Sequence, residues 1–154
     1  MLQDFSICIQ TKFLFGKNAV AQTAREIKLF GAKNVLIHHD DGKFLYDTGL
    51  LAEIENQLKA EGIRIAELGG VLPNPRLSLV REGIRLAKKE QIDFILAIGG
   101  GSVIDSAKAI GLGAAADTDV WDFFTGQRQP ERTLPVGVIL TCPATGSESS
   151  AVAV

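Results

Sequence analysis

Residues 94–109 read FILAIGGGSVIDSAKA, an apolar run that passes through three glycines and a serine into a stretch of helical spacing. The run at 94–98 contains no polar residue, which is typical of a strand buried on both faces of a parallel sheet. Apolar residues then recur at Val103, Ala107 and Ile110, the spacing of one helix face. The stretch therefore predicts a buried strand, a tight glycine turn and a helix in immediate succession.

The alternation of strand and helix continues on both sides of this unit. Apolar runs predict further strands at residues 34–39, 63–68 and 136–140. Helical spacing predicts helices at residues 18–30 and 50–60, and a third that ends at Lys89 with Ser78 as its N-cap. Residues 149–154 are expected to be extended. This pattern predicts an α/β fold: a Rossmann-like, doubly wound, mostly parallel sheet with helices on both faces.

The composition favours one soluble domain over residues 1–154. The chain has 154 residues, of which 46% are hydrophobic, and a formal net charge of -2, enough for a single domain with a sizeable core. It has neither an apolar run of about 18 residues nor a basic run, so we expect no membrane or nucleic-acid partner. A cytoplasmic location follows from the absence of a targeting pattern. Cys8 and Cys142 lack CxxC spacing, and we expect free thiols.

The turn Gly99-Gly100-Gly101-Ser102 is the strongest candidate for a binding site. Glycines let the backbone approach a bulky anion without interference from Cβ atoms, and the free N–H groups at a helix start favour phosphate. Ser102 can instead cap the helix, with Asp105 three residues further on as in a capping box. A tight turn without a ligand is the alternative, because the spacing differs from GxGxxG.

A second turn of glycine and hydroxyl residues follows the strand predicted at 136–140. Thr141, Thr145 and Ser147 can donate hydrogen bonds to phosphate or ribose oxygens, or serve only as turn and capping residues. Ligands of doubly wound sheets lie beyond the carboxyl ends of the strands. We therefore expect the two turns to face one crevice.

Asp40 follows the strand predicted at 34–39. A carboxylate at this point can accept both hydroxyls of an adenosine ribose and repel a 2′-phosphate, which favours NAD over NADP. The alternative is that Asp40 and Asp41 are turn residues only.

Two other groups of residues are candidates for a site. The adjacent His38 and His39 should point to opposite faces of a strand and should not chelate one metal ion. The aromatic residues Trp121, Phe123 and Phe124 could form a wall of a nicotinamide pocket, or close a core or an interface.

Three motifs together resemble the iron-containing alcohol dehydrogenases, most closely their butanol dehydrogenase branch. The motifs are residues 69–75, 93–109 and 141–148, and the resemblance covers essentially the whole chain. It implies an NAD- or NADP-binding domain for hydride transfer with a primary alcohol or aldehyde. It also implies site residues: Gly99, Gly100, Gly101 and Ser102 on the pyrophosphate, and Asn74, Thr141, Thr145 and Ser147 along the cofactor cleft.

Two departures from the family pattern stand out. Many members of this branch have a glycine-rich turn where this chain has His39-Asp40-Asp41-Gly42-Lys43, which weakens the NADP preference that the branch implies. Family members also continue into a helical domain whose aspartate and histidines hold iron or zinc, and this chain has no replacement for them. The resemblance thus implies that the chain is the N-terminal part of a longer architecture. Such a part is expected to bind the nucleotide but not to catalyse the reaction.

The sequence is also compatible with other interpretations. The chain could be a stand-alone nucleotide-binding module, or a relative of the dehydrogenases that act on glycerol or polyols. Exposed apolar surface could also pair two copies into a homo-oligomer.

Overall fold

A parallel sheet organises the molecule. The computed structural model describes residues 11–144 and 146–154, which form a four-stranded sheet in the order β2-β1-β3-β4. The strands are β1 (Asn34–His39), β2 (Arg64–Leu68), β3 (Phe94–Gly99) and β4 (Val136–Leu140), and all three pairings are parallel. The chain runs from β1 outward to β2, crosses back to β3 and continues to β4. The predicted doubly wound fold is confirmed, with its switch point between β1 and β3.

Helices cover both faces of the sheet. They are α1 (Thr23–Leu29), α2 (Lys43–Asp47), α3 (Leu50–Ala60), α4 (Leu77–Lys89), α5 (Gly101–Ala114) and α6 (Trp121–Phe124), with short 3₁₀ turns at Val20–Gln22 and Ser147–Ser149. No helix within the described ranges is both long and apolar enough to cross a membrane.

Side-chain alternation in the central strands builds two cores. Val35 and Ile37 of β1 pack with Leu96 of β3 against α1, α2 and α3. Leu36 of β1 and Ile95 of β3 point the other way, into a core shared with α4 and α5. Every residue of β1 and β3 is buried, because both faces of these strands are covered. The uninterrupted apolar run at 94–98 predicted this for β3.

The two helix starts differ from the prediction. Arg76, not Ser78, is the N-cap of α4, and Gly100, not Ser102, is the N-cap of α5; neither helix has a side-chain cap. In α5 the carbonyl of Gly100 accepts hydrogen bonds from the N–H groups of Val103 and Ile104. The first turn therefore closes on Gly100, and Ser102 already lies inside the helix.

The last residues form no paired strand, although the backbone of Ser150 is extended as expected. Residues 150–154 have no regular secondary structure. They lie against α5, where the Lys108 ammonium donates to the carbonyl of Val152 at 2.8 Å and the N–H of Val154 donates to Asp105 at 3.3 Å.

Candidate functional site

A cavity of about 250 Å³ lies at the carboxyl ends of the strands, at the switch point. Segments that follow all four strands line it: Asp40 after β1, residues 71–73 after β2, residues 100–103 after β3, and Thr141 and Cys142 after β4. The fold therefore brings the two turns singled out in the sequence to one crevice. It also adds residues that the sequence analysis missed, although the loop at 69–75 follows a predicted strand just as the other segments do.

The start of α5 forms one wall of this cavity. The N–H groups of Gly101 and Ser102 precede the first hydrogen-bonded turn and have no acceptor within the helix. The positive end of the helix dipole lies at the same place, and the two features together favour an anion. A Cβ atom on Gly100 would lie 3.5 Å from the Cβ of Cys142, so the turns after β3 and β4 approach within van der Waals distance.

Ser102 connects the start of α5 to the loop that follows β2 through a hydrogen bond. Its hydroxyl accepts a hydrogen bond from the N–H of Asn74 at 3.1 Å. Asn74 has a positive φ of 62°, a left-handed conformation that asparagine tolerates better than most residues. Asn74 thus contacts the cavity lining through Ser102 and is not itself part of the lining.

The capping-box hypothesis for Ser102 and Asp105 is wrong. Asp105 is buried, and its carboxylate faces the Lys108 ammonium at 3.5 Å and the N–H of Val154. A capping box needs Ser102 at the N-cap, whereas Gly100 occupies that position.

Asp40 serves the turn after β1 and also lines the cavity. Its carboxylate accepts a hydrogen bond from the N–H of Gly42 at 3.0 Å, and the residue is half-buried at the cavity edge. The turn interpretation and the binding interpretation of Asp40 are therefore compatible, since one carboxylate has several lone pairs.

Like Asn74, two further predicted site residues are not part of the cavity lining. Gly99 is the last residue of β3, and its carbonyl accepts a hydrogen bond from the N–H of Thr141 at 3.1 Å. Ser147 lines a second cavity of about 330 Å³ between α5 and β4. Thr145 and Cys8 fall outside the described residues, and Cys142 is a free, exposed thiol.

The three aromatic residues do not line the cavity. Trp121 and Phe124 stack on each other in α6, with ring centroids 5.9 Å apart. Phe123 packs against the core formed with α4 and α5. Asp119, just before α6, pairs with Arg81 of α4 at 3.0 Å, so the cluster packs beside α4 and not in the cavity, which favours the interpretation as core or interface.

The two histidines occupy separate hydrogen-bond networks. His38 Nδ1 donates to the carbonyl of Leu68, and Nε2 accepts from the hydroxyl of Ser106, both at 2.8 Å. Burial lowers the pKa of His38 to about 4, the hydrogen bond to Leu68 opposes this shift, and the charge of His39 adds to it. His39 faces Asp40 and Glu67 instead. Among the residues that the structure describes, no three His, Cys, Asp or Glu side chains form a group suited to a metal ion.

Comparison with known proteins identifies the relatives of this chain. Residues 10–154 match the family model of the iron-containing alcohol dehydrogenases. A probable NADH-dependent butanol dehydrogenase of Bacillus subtilis is 45% identical over 147 residues, which cover 96% of this chain. An NADPH-dependent aldehyde reductase of Escherichia coli is 36% identical over 99% of the chain.

A solved structure agrees with these relationships. The crystal structure of an NADH-dependent butanol dehydrogenase from Thermotoga maritima superposes with a TM-score of 0.88 at 40% identity, over 94% of this chain and 36% of that protein. The chain spans 38% of the length of the Bacillus relative and 39% of the Escherichia relative. These matches confirm the resemblance carried by the three motifs.

Proposed function

Because the chain belongs to the family of iron-containing alcohol dehydrogenases, we propose that it binds NAD or NADP for hydride transfer between the nicotinamide and a primary alcohol or aldehyde. One observation carries this proposal: the cavity at the switch point between β1 and β3 is bordered by the start of α5. In doubly wound sheets this crevice is where nucleotides bind.

The diphosphate is the part of the dinucleotide that suits the start of α5. The N–H groups of Gly101 and Ser102 donate to its oxygens, the helix dipole offsets its charge, and Gly100 leaves room for close approach. The hydroxyl of Thr141, which also lines the cavity, adds a donor. The cavity is smaller than the roughly 300–1,000 Å³ of complete small-molecule sites, so it holds the diphosphate and an adjoining sugar while the rest extends beyond it.

The residues of this chain bind and orient the dinucleotide. When bound, the dinucleotide supplies the hydride acceptor or donor. The described residues do not fit a metal ion, since His38 and His39 use both ring nitrogens in hydrogen bonds on opposite faces of β1. We therefore assign no step through a metal to them.

Asp40 supports a preference for NAD over NADP. Its carboxylate at the cavity edge can accept hydrogen bonds from ribose hydroxyls, and it repels a 2′-phosphate. Relatives with either preference occur: the name of the Bacillus protein specifies NADH and that of the Escherichia protein NADPH. The side chain after β1, and not the family, therefore carries this part of the proposal.

Fluorescence titration of the protein with NADH and NADPH tests both the binding of a dinucleotide and the preference for NAD over NADP. We expect NADH to bind about tenfold more tightly, the equivalent of one hydrogen bond to a charged group. Asp40→Asn should bring the two dissociation constants within about threefold of each other, because it removes the repulsive charge. Asp47→Asn is the matched control, since Asp47 is an exposed carboxylate on α2 outside the cavity.

The outcomes separate the two parts of the proposal. Failure of both nucleotides to bind overturns the dinucleotide function. Equal binding of both nucleotides by the unmodified protein overturns only the preference that is assigned to Asp40.

A further inference from the structure

The imidazole of His39 lies buried directly beneath the Asp40 turn. Its side chain is 1% exposed, on the side of the sheet that carries α2, where its ring meets that of Tyr46 edge-on at 6.4 Å. Nδ1 lies 2.6 Å from the carbonyl oxygen of Asp40, and Nε2 lies 3.1 Å from a carboxylate oxygen of Glu67. The ring therefore bridges the backbone after β1 and a side chain of β2.

The hydrogen bond to Asp40 determines the protonation of Nδ1. A carbonyl oxygen can only accept, so Nδ1 must carry a proton and donate it. The Glu67 carboxylate on the other side of the ring is 41% exposed, and it can turn into solvent without moving the backbone. Of the two bonds, the one to Asp40 is therefore the one that fixes the main chain.

Two other contacts hold the same turn. The N–H of Gly42 donates to the Asp40 carboxylate at 3.0 Å, and the N–H of Val71 donates to the carbonyl of His39 at 3.3 Å. With the His39 bond below, the Asp40 backbone and carboxylate are both fixed at the cavity edge. A carboxylate discriminates by charge repulsion only if it cannot turn away from the phosphate it repels.

The surroundings of this turn are acidic. Desolvation and the negative charges of Asp41, Glu67 and Asp40 raise the pKa of the Tyr46 phenol. Of these three carboxylates, Asp40 is the one that lines the cavity, so it is the one that an additional phosphate would meet.

We propose that His39 is a positioning residue for cofactor selectivity: its Nδ1–H···O=C bond to Asp40 sets the discrimination between NAD(H) and NADP(H). The inference rests on the proposed dinucleotide function. His39 does not line the cavity and acts through Asp40. Loss of the bond should therefore change the ratio of the two affinities, whereas general damage to the site would weaken both nucleotides alike.

Two amide variants separate the two nitrogens of the ring. In His39→Asn the amide nitrogen takes the place of Nδ1 and can still donate to Asp40. In His39→Gln the longer side chain places its amide where Nε2 was, facing Glu67. We expect the asparagine variant to keep the ratio of the NADPH and NADH dissociation constants within about twofold of the unmodified protein, and the glutamine variant to lower it about fivefold, the equivalent of one hydrogen bond.

Glu67→Gln is a third variant that does not depend on repacking the buried ring. Glu67 is partly exposed, and this substitution leaves the bond from His39 to Asp40 untouched. The ratio of the NADPH and NADH dissociation constants of this variant should therefore stay within about twofold of the unmodified protein, as for other screened surface charges. Circular dichroism and thermal unfolding verify that each variant is folded before the titrations.

The possible outcomes are distinct. If the asparagine and glutamine variants keep the ratio, or lose it equally, the positioning role of His39 is overturned. If Glu67→Gln alone abolishes the selectivity, the charge of the cluster sets it and the inference is also overturned. Failure of the unmodified protein to bind either nucleotide refutes the proposed function itself. This outcome is measured on the unmodified protein alone and is therefore distinct from the outcomes for the His39 variants.

Discussion

The adjacent glycines Gly99 and Gly100 have different physical roles. A Cβ atom on Gly99 would lie 2.9 Å from the Cβ of Val103, closer than side chains pack, so the strand-to-helix turn requires glycine there. A Cβ atom on Gly100 would meet only Cys142, at an ordinary 3.5 Å. Gly99 therefore allows the turn to form, and Gly100 keeps the cavity open.

Alanine substitutions distinguish these roles. Gly99→Ala should lower the free energy of unfolding by about 1–3 kcal/mol, the usual cost of overpacking. Gly100→Ala should change it by less than about 1 kcal/mol, because a poorer N-cap is offset by a less flexible unfolded chain. Its Cβ atom enters the cavity, however, and we expect NADH binding to weaken at least about tenfold.

Urea unfolding and NADH titration of both variants provide the measurements. Each variant is the control for the other, since the change in composition is identical. Normal NADH affinity in a folded Gly100→Ala protein would contradict the assignment of this turn to the diphosphate.

At the scale of elements, α4 and α5 approach each other through glycine. Gly83 of α4 lies against Ile110 of α5, where a Cβ atom would come within 2.8 Å of Cγ1, and Gly113 of α5 lies equally close to Ile84 of α4. Ile110 is fully buried. This close packing holds α5 against α4 in the core that both helices share with β3.

Two substitutions in α4 test this packing. Gly83→Ala gains about 1 kcal/mol in helix propensity but pushes Ile110 within a filled core, and we expect a net loss of about 1 kcal/mol in the free energy of unfolding. Ser78→Ala, exposed in the first turn, should change it by less than about 0.5 kcal/mol.

Thermal or urea unfolding of the two variants measures both effects. A loss near 1 kcal/mol for Ser78→Ala, as expected of an N-cap, would contradict the helix start at Leu77. A stabilised Gly83→Ala protein would show that the α4–α5 contact can relax.

At the scale of the whole molecule, His38 links three elements. It lies in β1 and is fully buried, and it bonds the end of β2 through Leu68 and α5 through Ser106. Burial favours the neutral ring, in which Nδ1 donates to the carbonyl of Leu68 and Nε2 accepts from the hydroxyl of Ser106. Global stability is therefore coupled to the protonation of this residue.

Stability should fall as the protein is acidified. Burial lowers the pKa of His38 from 6.5 to about 4 in the folded protein. Between these values the unfolded chain binds a proton that the folded protein excludes, so the free energy of unfolding decreases by up to about 3 kcal/mol from pH 6.5 to 4. Above pH 6.5 both states are neutral at His38, and the effect ends.

Urea unfolding at several pH values, in the protein and in His38→Asn, isolates this contribution. Asparagine can keep a donor for the Leu68 carbonyl but does not titrate. The variant should have a lower free energy of unfolding at pH 7 than the unmodified protein. Its free energy of unfolding should also decrease less on acidification. Parallel pH profiles for the two proteins would show that His38 is not the group responsible.

Local pattern in the sequence was enough to predict the fold class. The strand at 34–39 and the helix at 50–60 have the predicted bounds, because apolar runs and helical spacing are set by neighbouring residues. The buried strand that leads into α5 was predicted for the same reason. Helix starts were less predictable: which carbonyl closes the first turn depends on backbone geometry that Ser78 and Ser102 do not reveal.

The sequence predicted that the turns after β3 and β4 share one crevice, but the finer arrangement of the site was decided by tertiary structure. Strand order brings Asp40, Gly100 and Thr141 to one cavity and leaves Ser147 in another. The register places Glu67 opposite Ile37, within reach of the ring of His39, although the two residues are 28 positions apart in the chain. Such contacts arise from pairing between distant segments, on which the local periodicity of a sequence carries no information.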